Sequence, residues 1–235
     1  MAFTKELRAE LVSLLGEDWV KDDPVTLYTY RCDGLTLYTA PPMGVVFPGN
    51  RNELVEVVKK LHSRKIPFVP RGAGTGLSGG AVPREQSVII EMARFKEIHD
   101  IDWLNRTITV GPGVINLRIS EKVQPDGYHY VPDPSSQKAC TIGGNVAENS
   151  GGPHTLKYGV TVNHVLGLEM VLPDGEVVEL GGKTFPIAGP DMLALVIGSE
   201  GTFGIVTKIT CRLTPNPEKA ITLLGVFDSV HKACE

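Results

Sequence analysis

The 235 residues are 42% hydrophobic and 21% charged, the make-up of a chain with a core to bury, which excludes a disordered or fibrous protein. Lys+Arg 23 against Asp+Glu 27 leaves a formal charge of −4, so no field of one sign covers the surface, and nucleic acid is not expected as a partner. At ~100–200 residues per domain, the length fits one large domain or two small lobes that need no disulfide staples.

In chain order, Leu7, Leu11, Val12, Leu14 and Leu15 recur at helical spacing, with Gly16 as the stop. A loop-like stretch runs to Pro41-Pro42. The apolar run Gly44 to Phe47, the helical pattern from Asn52 to His62 and Ile66 to Val69 then read as strand, helix, strand. Further strands are predicted at Val88 to Glu91, Thr107 to Val110, Val165 to Val171, Val177 to Leu180 and Ile205 to Leu213, and helices at Val114 to Val123 and Pro190 to Val196. Leu172-Pro173-Asp174-Gly175 is a hairpin turn between two of the strands. Helices and strands mix without strict alternation, which predicts an α+β class with at least one partly antiparallel sheet.

The four cysteines, Cys32, Cys140, Cys211 and Cys234, contain no CxxC pair, and no H-x-x-H or H-E-x-x-H occurs, so no metal site is expected. The first twenty residues alternate charged and apolar positions and lack a signal-peptide core. No apolar run approaches the ~20 residues of a transmembrane segment, so a cytoplasmic chain is expected, peripheral to a membrane only through a partner.

Gly 26 and Pro 17 make up about a fifth of the chain, and they cluster. Pro70 to Gly80 reads PRGAGTGLSGG directly after a predicted strand. Without Cβ atoms, successive N–H groups converge on an anion; Arg71 adds a positive charge and Thr75 and Ser78 add hydroxyls, the chemistry of a diphosphate cradle. Two other motifs share the stretch. Gly74 to Gly79 matches G-x-G-x-x-G, the NAD-binding fingerprint, but eight residues including Pro83 separate Gly79 from the next strand, too few for the crossover helix that fingerprint opens. Gly76 to Gly80 matches G-x-S-x-G, but a nucleophile elbow also needs a helix behind the serine, and a histidine partner that only the scattered His99, His129, His154 and His164 could supply.

Gly143 to Gly152 (GGNVAENSGG) is a second small-residue segment, preceded by Pro132-Asp133-Pro134-Ser135-Ser136 and Thr141; alone it reads as two polar turns. Gly198 to Gly204 (GSEGTFG) and Gly111-Pro112-Gly113 follow the same style. Several close backbone approaches suit one long ligand with a diphosphate, a ribose and two ring systems, so a dinucleotide cofactor is the economical reading. His154, two residues past Gly152, is the histidine expected to face it.

The ordered set PRGAGTGLSGG (70–80), PDPSSQKACTIGGNVAENSGG (132–152), LKYG (156–159), LPDGE (172–176) and GSEGTFGIVT (198–207) closely resembles the FAD-binding domain of the vanillyl-alcohol-oxidase-type flavoproteins, nearest to the branch of the glycolate oxidase flavoprotein subunit and D-lactate dehydrogenase. The likeness runs over about residues 20 to 230. It implies a two-subdomain FAD-binding fold: a lead-in over 1–40, the FAD-binding domain over 41–217, and over 218–235 the start of a cap domain that the chain otherwise lacks, with Ile221 to Ser229 as the first cap strand. It implies FAD contacts at Arg71, Gly72, Ala73, Gly74, Thr75, Gly76, Leu77, Pro132, Ser136, Thr141, Gly143, Gly144, Asn145, Asn149, Gly152, His154, Glu200, Gly201, Ile205 and Val206. Some relatives tether FAD through a histidine in the first loop; this loop has none, so dissociable FAD is expected. The implied function is hydride transfer from a D-2-hydroxy acid such as D-lactate or glycolate to FAD, with electrons passed to an electron-transfer flavoprotein, an iron–sulfur subunit or a quinone-linked partner. The catalytic base belongs to the cap in that branch, so this chain by itself is expected to bind FAD and turn over poorly, and a non-catalytic FAD-binding fragment or assembly subunit is the alternative.

Overall fold

The computed structural model describes residues 3–84, 86–183 and 189–235. Helix α1 (Lys5–Leu15) starts where the Thr4 side chain accepts from the Leu7 amide, buries Leu7, Leu11 and Leu15, and stops at Gly16. Strand β1 (Val20–Lys21) and helix α2 (Pro24–Thr29) follow. The stretch read as loop thus holds a short helix, started by an Asp23 cap and Pro24; it buries no residue, so no apolar period announced it. Strand β2 (Gly44–Val46) leads into helix α3 (Arg51–Ser63), which Asn50 caps and whose Leu54, Val57, Val58 and Leu61 form one buried stripe. Strands β3 (Phe68–Arg71) and β4 (Val88–Glu91) complete a sheet of order β1-β2-β4-β3, in which β4 runs parallel to both neighbours. Residues 72–87 join the parallel pair, and among the described residues of that connection there is no helix; Glu85, part of the segment judged too short for one, lies outside the described residues.

The second lobe carries β5 (Ile98–Asp102), β6 (Thr107–Val110), α4 (Asn116–Val123), β7 (Tyr128–His129), α5 (Ile142–Glu148), α6 (Thr155–Tyr158), β8 (Val165–Val171), β9 (Val177–Gly181), α7 (Met192–Val196), β10 (Ile205–Arg212) and β11 (Thr214–Pro215), with α8 (Val230–Cys234) beyond it. Its main sheet is antiparallel, in the order β5-β6-β10-β8-β9. The expected turn joins β8 to β9, with the Gly175 amide donating to Leu172 O at 2.9 Å. Inward positions of β10 alternate, Ile205, Thr207, Ile209 and Cys211, and Ile209 and Cys211 pack with Ile108, Ile119, Ile142 and Met170. Strand β5 has no counterpart in the sequence reading: Ile98-His99-Asp100-Ile101-Asp102 is a charged edge strand, which burial does not require to be apolar.

The lobes share a wall. Val171 and Ile205, at the ends of β8 and β10, pack in the core formed by α1 and α3. Near them the buried Glu169 of β8 takes Arg51 of α3 at 3.1 Å and Lys208 at 3.2 Å, and accepts from Thr207 Oγ1 at 2.8 Å. Burial works against that charge, but Thr207, Lys208 and Arg51 outweigh it and hold the carboxyl below its usual range.

Two expectations change. Ile221 to Ser229 does not form a strand: it runs exposed, paired with no sheet edge among the described residues, and leads into α8. A strand exists only by pairing, and apolar alternation alone does not supply a partner. The segment read as two polar turns at 143–152 begins as helix α5, because its two glycines are inside a capped turn of helix rather than between strands. No helix among the described residues is long and apolar enough to cross a membrane.

Candidate functional site

A cavity of about 480 Å³ opens where the glycine-rich connection after β3, the start of α5, the 199–201 turn and the first residues of β10 converge. Its size is in the range of small-molecule sites.

The connection is built around Arg71. Strand β3 delivers this side chain beneath the loop, where it is 8% exposed, donates from Nη1 to Ala81 O at 2.9 Å and lies 5.3 Å from the ring centre of Tyr30. Gly74 passes over it at φ +66°, and a Cβ there would come within 2.2 Å of Arg71 Nη2, so a side chain would be strained and would push on the arginine. The amides of residues 72–78 donate to no protein acceptor among the described residues. Backbone N–H groups that leave the protein unsatisfied on a cavity wall are open to an anion.

Glu91, register partner of Arg71 on β4, bears on the charge balance. Burial pushes its carboxyl up to about 8, against the pull of Arg71. In that protonated state it does not cancel the guanidinium charge behind the loop.

The opposite wall works differently. Thr141 caps α5, accepting from the Gly144 amide at 3.4 Å; the Ile142 amide donates to Val114 O at 2.8 Å and the Gly143 amide to Pro112 O at 2.9 Å. These N–H groups are taken by the protein. Gly143 is needed for contact with the 111–113 turn, since a Cβ would lie 2.6 Å from Pro112 Cβ. Asn145 of α5 lines the cavity, and its Nδ2 is buried with no oxygen or nitrogen acceptor among the described residues, next to the weakly accepting Cys140 sulfur. Burial pushes the Cys140 thiol up, so it is a poor nucleophile. At the other end of α5, Gly198 and Glu200 donate to Val146 O and Ala147 O, both at 2.8 Å, which places Glu200 and Gly201 on the wall. Ile205 and Val206 supply an apolar side.

Most of the residues expected from the sequence line this cavity: Arg71 to Leu77, Ser136, Thr141, Gly143 to Asn145, Glu200, Gly201, Ile205 and Val206. Four do not. Pro132 is buried and its carbonyl accepts from Asn116 Nδ2 at 3.0 Å. Asn149 ends α5 in the left-handed region and its Oδ1 accepts from the Val162 amide at 2.9 Å. Gly152 is a close-packing position, where a Cβ would lie 2.2 Å from Asp133 O. His154 turns outward, 67% exposed, with Nδ1 2.6 Å from Asp133 Oδ2. Met92, Pro112, Cys140, Glu148, Val196 and Ser199 also line the cavity and were not among the expected contacts. Met92 and Val196 sit in no motif and come from distant elements, so nothing local in the sequence could have pointed to them.

Amides without protein acceptors among the described residues, a buried guanidinium behind them and an apolar wall suit a ligand that joins a diphosphate to a flat ring. Residues 42–181 match the FAD-binding domain family, and the chain belongs to it; FAD is its cofactor, and the cavity fits that group. The chain is 51% identical to the glycolate oxidase subunit GlcD of Escherichia coli K12 over 204 residues, 87% of this chain and 41% of that protein. It is 40% identical to GlcD of Bacillus subtilis over 99% of this chain and 50% of that protein, and 37% identical to the D-lactate dehydrogenase of Archaeoglobus fulgidus over 87% and 47%. The chain thus spans about half the length of the curated relatives it matches. A solved alkyldihydroxyacetonephosphate synthase superposes with a TM-score of 0.82 at 24% identity, covering 92% of this chain and 41% of that one, which establishes the same fold.

Proposed function

We propose that this chain is the cofactor-holding part of an FAD-dependent dehydrogenase or oxidase that takes a hydride from a D-2-hydroxy acid, glycolate or D-lactate being the first candidates. The observation that carries the reading is the set of amides at 72–78 without protein acceptors among the described residues, backed by the similarity to GlcD and D-lactate dehydrogenase. Bound FAD supplies the two-electron acceptor. The chain's own residues bind and orient it: the amides of 72–78 take the diphosphate, Arg71 holds the loop closed and adds positive charge, Asn145 lines the ring side, and Ile205 and Val206 exclude water from it. Among the described residues no histidine lines the cavity and the one cysteine that does is a buried thiol, which supports dissociable FAD.

The word subunit in the name of GlcD supports a multi-chain assembly, and an electron-transfer flavoprotein or an iron–sulfur subunit is the partner proposed to accept the electrons. Two measurements test the proposal in sequence. The purified chain should bind FAD reversibly, read from quenching of flavin fluorescence; a folded preparation that binds none sinks the cofactor geometry. Anaerobic addition of glycolate or D-lactate should then bleach the visible flavin band once a chain carrying the remainder of the relatives' length is present. Bound FAD that stays oxidised with both acids under that condition would overturn the hydroxy-acid assignment and leave an FAD-binding module.

A further inference from the structure

Residues 33–35 lie outside the span matched to the FAD-binding family, yet they hold the far end of the glycine loop. Asp33 is 5% exposed; its Oδ2 accepts from the Gly79 amide at 3.0 Å and its Oδ1 from the Leu35 amide at 3.0 Å. Next to it the Gly34 amide donates to Gly76 O at 3.0 Å, an approach so close that a Cβ on Gly34 would lie 2.9 Å from Thr75 O. Among residues 72–79, only Gly79 has its amide taken by a protein acceptor among the described residues, and the acceptor is this carboxylate.

A buried carboxylate beside a site for a diphosphate is unfavourable on charge alone. Its placement makes sense if the negative charge is spent on backbone N–H groups that point away from the ligand. A loop this rich in glycine has many conformations, and ordering it costs backbone entropy; ordering done before the ligand arrives is not charged to binding. We propose that Asp33 is a positioning residue for the diphosphate loop: with the Gly34 amide it pins residues 76–79, so that residues 72–78 present their amides in the binding arrangement without the ligand. The inference rests on the reading that this loop holds the diphosphate of FAD.

The test compares the unmodified chain with Asp33→Asn, which keeps size but offers one acceptor oxygen for two amides, and with Asp33→Ser, which keeps an oxygen for the Leu35 amide and stops short of Gly79. Affinity should fall roughly ten- to a hundredfold for FAD and by the same factor for ADP, which carries the diphosphate without the flavin. The urea midpoint of the ligand-free protein should move little, while the Gly79 amide should exchange hydrogen faster. Unchanged FAD and ADP affinity in either folded variant would overturn the proposal, as would an affinity loss fully matched by lost stability of the ligand-free chain, or a loss confined to FAD. Failure of the unmodified chain to bind FAD and ADP would instead remove the underlying reading. If Asp33→Asn does not fold, Asp33→Ser carries the same comparison.

Discussion

The 72–80 connection and the 142–152 segment are both crowded with glycine and both face the same cavity, but their backbone N–H groups go to different places. In the connection the amides of 72–78 find no protein acceptor among the described residues, while in α5 the first amides are taken by Val114, Pro112 and Thr141. Glycine in the first region leaves room for a ligand over Arg71; glycine in the second lets the chain approach itself, at Pro112 for Gly143 and at Asp133 for Gly152. Glycine density marks a close approach, and the fate of the donors says whether the approach is to a ligand or to the protein.

Substitutions should separate the two regions. Gly74→Ala forces a side chain into the left-handed region and against Arg71, and should weaken FAD binding by about a hundredfold or more, ~2.7 kcal/mol, a larger effect than the ~1–2 kcal/mol it should cost the ligand-free chain in stability. Flavin titration and calorimetry of one sample check both halves of that statement.

Behind the same loop, Glu91 should make stability depend on pH. Its folded value is raised from 4.5 to about 8, so between those limits the folded state binds the extra proton, and stability falls as pH rises through that window. Urea melts across that range should show this decline in the unmodified chain and lose it in Glu91→Gln, which should be the more stable of the two above about pH 8. Equal slopes for the two proteins would remove Glu91 from the charge balance of the loop.

In the α5 region the expected loss is in the fold. Gly143→Ala pushes a methyl into Pro112 and should cost ~1–3 kcal/mol of stability, a melting-temperature drop of several degrees, while FAD affinity per folded molecule changes much less than in Gly74→Ala. Thr141→Ala removes a long cap hydrogen bond and should cost ~0.5–1 kcal/mol, visible as a shift of a few degrees. Were Gly143→Ala to abolish flavin binding in a well-folded protein, the contrast between the two regions would fail.

Much of the fold was legible because its signals are local. The α3 stripe repeats at Leu54, Val57, Val58 and Leu61, and Asn50 and Glu53 mark its start; the β8–β9 hairpin is written in Pro173-Asp174-Gly175. Helix α5 was not legible, since Gly143-Gly144 lowers helix propensity and its first amides are satisfied by residues some thirty positions earlier. His154 lies off the cavity wall for a related reason. Nearness in sequence to Gly152 says nothing about the direction of a side chain, and a hydrogen bond to Asp133 turns it to solvent. The tie from Asp33 to Gly79 spans 46 residues and belongs to no motif.

Chemistry carried by a contiguous run could be read from the order of residues alone: a glycine loop with an arginine at its base needs a strand before it and an anion in front of it, wherever the rest of the chain goes. Which donors remain free, which carboxyl loses its charge and which distant residues close the wall depend on desolvation and on acceptors brought in from other elements. Those quantities have no value until the two lobes pack, so only the folded chain decides them.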